Sequence, residues 1–188
     1  MAELQDYSGE FMPDIKYQDF SKDALARLLT EYARLDLALD AWWQDTVREK
    51  YDEKIAIELE LAVWARGVPY QQQRVIEALN IRGHDVAACF KELQMDPQFR
   101  PPMFDISWDL KNSNHGIFTL NRCKAVDYFE KQGDTKTMLA ICDLDWKAFE
   151  RIARFFNPDM KVTALKLPPR KSNDDIACQW EFKLELWN

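Results

Sequence analysis

The chain of 188 residues contains little glycine and little histidine, with five and two residues respectively. So few glycines, and no Gly-rich loop, argue against a fold that cradles nucleotide phosphates on backbone amides. A Gly-x-Ser-x-Gly nucleophile elbow and a Cys-x-x-Cys metal knuckle are also absent from the sequence. The net charge of −7 argues against nucleic acid as a partner, because phosphates are neutralised by clustered Lys and Arg.

Long apolar runs are missing as well, so the sequence predicts no membrane span. The first 20 residues have neither a basic start nor an apolar core, which argues against a secretory signal. We therefore expect a cytoplasmic protein. In that reducing compartment the four cysteines are expected to be thiols, not disulfides.

The first half of the chain contains an apolar, aromatic lead-in and a long segment with helical spacing of its apolar residues. Residues 1–20 form an apolar lead-in that includes Tyr7, Phe11 and Tyr17. We expect this lead-in to dock on the domain or on a second copy, which makes a homodimer a hypothesis. Residues 21–96 form a helical part that begins at an N-cap, Ser21, and we expect its second helix to break at Gly67-Val68-Pro69.

A proline-rich linker that includes Pro101 and Pro102 is followed by residues 103–188. There, segments in which apolar residues recur every second position, as in strands, appear for the first time. The pattern predicts β-β-α-α-β-β, with a short helix over 135–142 and a longer one over 145–156. The last strand is expected to run from Ile176 to Leu186. The whole chain is then α+β: N-terminal helices followed by a four-stranded antiparallel sheet packed on helices, in one compact domain.

Three of the four cysteines lie at predicted element ends or on an inward strand face: Cys123, Cys142 and Cys178. Cys89 lies in an apolar helix and is most simply core. Cys123 begins a predicted helix, whose dipole is expected to lower its pKa. With His115 the three thiols form a candidate zinc site. Alternatively, Cys123 or Cys142 is a nucleophile assisted by Asp145.

Acidic residues also interrupt the helical part, among them Asp36, Asp40, Glu58 and Glu60. Acids that face each other on packed helices could bind a metal or take a proton. Acids that are solvated or bonded to N–H groups are the simpler interpretation.

Several segments resemble a known family: Asn121-Arg122-Cys123, Met138 to Asp145, and Cys178-Gln179-Trp180-Glu181-Phe182. They are similar to the C-terminal half of the L-2-amino-thiazoline-4-carboxylate hydrolase-like family. An Asp-x-x-Trp element at Asp40 to Trp43 and a Val63-Trp64 pair resemble an uncharacterised bacterial sister group. Both groups are distantly similar to the 4-vinyl-reductase-type ligand-binding domain. The resemblance implies a pocket between sheet and helices where the three cysteines cluster.

Three functions follow as hypotheses. The first is a small-molecule-binding domain whose aromatic pocket is lined by Trp108, Phe118, Trp180 and Phe182. The second is a cysteine-dependent hydrolase of a cyclic C–N or C–S substrate. The third is a zinc-stabilised interaction domain.

Overall fold

A computed structural model describes residues 3–97, 99 and 103–185. After a 3-10 turn at Tyr17–Asp19, the helical elements are α1 (Lys22–Lys50), α2 (Glu53–Leu79) and α3 (Val86–Leu93), then α4 (Lys124–Gln132) and α5 (Thr135–Phe156). The strands are β1 (Phe104–Asn112), β2 (His115–Cys123), β3 (Met160–Lys166) and β4 (Cys178–Leu184). The α+β class predicted from the sequence is confirmed. Pro101 and Pro102 of the linker and Leu186 of the last predicted strand lie outside the described residues.

The four strands form one antiparallel sheet in the order β1-β2-β4-β3. Side chains alternate across a strand, so Phe118 and its neighbour Trp180 share the face that packs against α3 and α5. Phe149 of α5 holds the two layers together, with its ring centroid 5.3 Å from both Phe118 and Trp180. The core therefore lies between this sheet face and the helices.

Two expected helix breaks do not occur. α2 continues through Gly67 and Pro69, where the sequence predicted a break and a separate helix from Tyr70 to Leu79. Packing against α5 outweighs the backbone hydrogen bond that proline cannot make, and beyond Pro69 the buried Gln72 donates to the carbonyl of Ile152. α5 is likewise one helix, because the buried Leu144 continues its apolar face across the predicted gap.

α1 and α2 form an antiparallel helical hairpin. Ser21 caps α1 by accepting from the Ala24 amide, and Asp52 caps α2 by accepting from the Ile55 amide. α2 packs against α5, so the hairpin is tied to the core through its second helix. None of the helices in the described ranges combines the length and apolar composition that a bilayer crossing requires.

The lead-in contacts its own chain at the start of α1. Leu4 pairs with Phe20 as an isolated parallel bridge, and the Ser21 amide donates to the Leu4 carbonyl at 2.9 Å. The Tyr7 and Phe20 rings meet edge to face at 6.2 Å. These contacts use part of the apolar surface that suggested a second copy, and the homodimer stays a prediction.

Arg170 fixes the loop between β3 and β4 against α4. Its side chain is 5% exposed and bonds to Asp127 at 2.5 Å and to Glu130 at 2.7 Å. Because these charge-assisted bonds are nearly buried, they hold the loop more firmly than a surface ion pair would.

Candidate functional site

A cavity of about 120 Å³ lies among the sheet, α4, α5 and the helical hairpin. The sheet supplies Phe104, Leu120, Cys178 and Trp180. Helices α4 and α5 supply Val126, Cys142, Asp145 and Phe149. Cys123, Phe99 and Leu167 also line it, and the hairpin closes it with Leu37, Asp40 and Trp64. The three candidate cysteines and Asp145 therefore share one cavity, whose other walls are mostly aromatic and aliphatic.

A smaller cavity of about 50 Å³ shares part of this wall. Trp64, Phe99, Asp145 and Phe149 line both spaces, and Asp96 lines only the smaller one. Asp145 therefore lines two neighbouring cavities from one position on α5.

Cys123 is the N-cap residue of α4. The amides of Val126 and Ala125 favour its thiolate, as the helix dipole predicts. Burial nevertheless raises the pKa of Cys123 to about 11, with Asp145 adding to the effect. The expectation that the helix start lowers this pKa is thus wrong, because desolvation of the thiolate outweighs the helix dipole.

Cys142 and Cys178 are also held as thiols. Burial, then the neighbouring Asp145, raises the pKa of Cys142 to about 12. Burial raises the pKa of Cys178 further still, and the charges of Cys123, Asp145 and Cys142 act in the same direction. The indole Nε1 of Trp180 donates to the Cys178 sulfur at 3.2 Å. Cys89, as expected, is fully buried in the core on α3.

Carboxyl groups form the polar side of the cavity. Burial raises the pKa of Asp145 to about 7. Burial and the charge of Asp36 also raise the pKa of Asp40, while a hydrogen bond from Trp64 lowers it. Behind them, Glu60 is bonded to Gln44, and its pKa is raised to about 7 by burial, Asp40 and Asp145. Asp40 is therefore a wall of the site, and its bond from the Trp64 indole makes it an N–H-bonded acid, not a solvated one.

His115 lies away from the thiols. It is on the opposite face of the sheet from Cys178, because its partner Glu181 alternates with the inward-facing Trp180 and Phe182 on β4. Its Nε2 bonds to the Glu181 carboxylate at 2.9 Å. Across residues 3–97, 99 and 103–185, no group of three or more His, Cys, Asp or Glu side chains is arranged to hold a metal ion. The proposed zinc role of His115 and the three cysteines gains no support from this geometry.

Of the four aromatic residues expected to line the pocket, only Trp180 does so. Phe118 and Phe182 are fully buried in the core. Trp108 packs its ring against Phe118 at 4.8 Å and against Phe90 at 5.0 Å. Because Phe90 of α3 packs on Phe182 and Trp108, Phe118 and Phe182 form core and Trp108 packs at its edge, where the strand pattern alone suggested a pocket.

The cavity walls that strand alternation missed come mainly from other elements. Leu37, Asp40 and Trp64 belong to the helical hairpin, and Phe149 belongs to α5. The signal for two of them was present in the Asp-x-x-Trp element and the Val-Trp pair, which contain Asp40 and Trp64. Their meeting with the cysteines depends on how the hairpin docks, which local pattern does not determine.

The comparison with known families gives one match. Residues 18–184 match the model described as Family of unknown function (DUF6125). No curated protein and no solved structure matches the chain. The resemblance to the hydrolase-like family and to the 4-vinyl-reductase-type domain therefore stays a prediction, with no finding against it.

Proposed function

We propose that this chain, which belongs to the family of unknown function DUF6125, is a small-molecule-binding protein. The observation that carries the proposal is the cavity into which Asp40, Asp145 and the three thiols point from separate elements. Ligand sites are typically apolar spaces with a few convergent polar groups that fix orientation. This cavity has that composition.

Its size limits the ligand. A buried cavity of about 150 Å³ accepts benzene, and the main cavity here has about 120 Å³ with a smaller space beside it. The aromatic walls of Trp64, Phe149 and Trp180 suit a flat or apolar group. The ligand buried here is thus no larger than a benzene-sized group with a short polar substituent.

The polar side of the cavity favours a particular substituent. Asp40 and Asp145 present carboxyl oxygens, which accept hydrogen bonds from hydroxyl or ammonium groups and attract positive charge. A carboxylate ligand would instead add a negative charge beside Asp40 and, in the roughly half of the molecules in which Asp145 is ionised at neutral pH, beside Asp145 as well. We therefore expect alcohols and amines to bind in preference to acids.

The hydrolase hypothesis has weaker support. A thiol with a pKa of about 11 is ionised in only about one molecule in 10,000 at neutral pH, and the thiolate is the nucleophile. A basic partner that could take the proton is needed, and His115 bonds to Glu181 on the other sheet face. The thiols serve better as neutral, polarisable walls.

Three benzene derivatives of similar size test the proposal: benzyl alcohol, benzylamine and benzoate, with binding followed by saturation-transfer NMR on the full chain. We expect the alcohol and the amine to bind at millimolar or lower concentration, and benzoate to bind at least about tenfold more weakly, a difference of about 1.4 kcal/mol. If none of the three compounds binds, the proposal is contradicted. Preferential binding of benzoate contradicts the assigned role of the acids.

A pair of variants on α5 locates the site. Cys142→Phe fills the cavity and is expected to abolish probe binding, whereas Ala140→Phe adds the same ring to an exposed position of that helix. Unchanged binding by a folded Cys142→Phe variant, or equal loss in both, places the probe elsewhere. Circular dichroism confirms that each variant is folded.

A further inference from the structure

α1 carries its large apolar side chains on the outside. Leu35, Leu39 and Trp42 are 58%, 66% and 64% exposed. The inward side of α1 is mixed: Leu37 lines the cavity, Ala33 is buried and Gln44 is bonded to Glu60. A surface helix normally turns its large apolar side chains away from solvent, so the exposure of Leu35, Leu39 and Trp42 departs from that arrangement. At Tyr32 this face meets Tyr17 of the lead-in, whereas at Leu35, Leu39 and Trp42 the described fold leaves it uncovered.

The spacing on this face indicates what kind of partner fits. Leu28, Tyr32, Leu35, Leu39 and Trp42 follow one another at intervals of four, three, four and three residues. This is the a/d repeat of a coiled coil, in which such residues pack into the equivalent positions of a second helix. We call these five residues the α1 seam. Its repeat suits another long helix better than a flat sheet or a loop.

The total surface also suggests a missing interface. A compact monomer of 22.2 kDa exposes about 9,400 Å², whereas this chain exposes 12518 Å². A stable interface of standard size removes about 800 Å² from each partner. The excess is thus large enough for such an interface on each copy, and exposed aromatic residues such as Trp42 are frequent anchors at interfaces.

Charge does not oppose self-association at this helix. Although the chain has a net charge of −7, α1 contains five basic and six acidic residues and is nearly neutral. Beside the seam, Arg34 pairs with Glu31 and Arg48 pairs with Asp45 on the same helix. Two copies of α1 therefore approach each other with charges of both signs along their edges.

We propose that the protein is a homodimer in which the α1 seam of one copy packs against the α1 seam of a second copy. The same surface patch on both subunits gives a closed, two-fold interface. This inference does not depend on the ligand of the cavity. It also moves the expected self-contact from the lead-in, which bonds to its own chain, to the outer face of α1.

Light scattering coupled to size-exclusion chromatography tests the proposal on the full chain. We expect a mass of twice 22.2 kDa for the natural sequence and 22.2 kDa for Leu39→Glu, because a charge in an apolar seam is desolvated on association. Leu110→Glu makes the same change at a β1 position that is 48% exposed and outside the seam. This control is expected to remain dimeric.

The other outcomes overturn the proposal. A natural chain that is monomeric at tens of micromolar means that the seam has no second copy as its partner. A folded Leu39→Glu variant that remains dimeric places the interface elsewhere, and monomers with both variants show that the effect is not specific to the seam. Because Leu39 is exposed in the monomer, its substitution is not expected to prevent folding.

Discussion

Glu92 is predicted to make the protein less stable as the pH rises towards 8. Its side chain is fully buried on α3, where Gln72 is a neighbour that can hydrogen-bond to its carboxyl group. Burial, then the charge of Asp96, raises the pKa of Glu92 from 4.5 to about 8, while Gln72 lowers it slightly. The folded protein therefore keeps a proton that the unfolded chain has already released.

The sign and size follow from this difference. Between about pH 4.5 and pH 8 the folded state binds more protons than the unfolded state, so the free energy of unfolding falls as pH rises. Each unit of pKa difference corresponds to about 1.4 kcal/mol, and the shift from 4.5 to about 8 gives a ceiling of roughly 5 kcal/mol. Glu92→Gln keeps the shape of the side chain and removes the titration.

Urea unfolding at about pH 5, 6.5 and 8 measures the effect. We expect Glu92→Gln to be close to the natural protein in stability at the lowest pH and more stable by at least about 2 kcal/mol at the highest. Glu58→Gln makes the same exchange at an exposed position of α2 and serves as the control. A natural protein and a Glu92→Gln variant with parallel pH profiles would refute the reasoning.

Three further substitutions and one reagent test the packing and the site. In Gly116→Ala the new Cβ lies 2.5 Å from the Phe90 ring, so a loss of about 1–3 kcal/mol is expected in urea unfolding. Gly67→Ala, with open space around it, is expected to be neutral or stabilising. Arg170→Ala leaves two carboxylates unpaired and is expected to cost about 2 kcal/mol in thermal or urea unfolding. Iodoacetamide at neutral pH is expected to label the cavity thiols slowly, whereas a single fast-reacting thiol in mass spectrometry would favour the hydrolase hypothesis.

The strands were largely predictable from local pattern. Strict alternation over Phe104 to Leu110 and over Cys178 to Leu184 is a period that only a half-buried strand produces. Gly133 ends α4 in the left-handed conformation, as a glycine at that position predicts. Signals of this kind depend on residues next to each other in sequence.

The helix breaks and most of the cavity walls were not predictable in this way. Pro69 is a strong local breaker, yet α2 passes through it because packing on α5 is a long-range contribution. Similarly, the inward position of Cys178 could be inferred from alternation, whereas its proximity to Asp40 depends on the docking of the hairpin. Phe118 and Phe182 face inward as predicted, but α3 covers them and makes them core.

The central claim, a ligand site between the sheet and the hairpin, is tested most directly by the indole resonances of the seven tryptophans. In an ¹H–¹⁵N spectrum titrated with benzyl alcohol, we predict shifts for Trp64 and Trp180, which line the cavity. Trp42, on the outer face of α1, is predicted not to shift, and Trp64→Phe and Trp180→Phe variants assign the signals. Shifts that are absent at saturating probe, or that are confined to Trp42, would contradict the account.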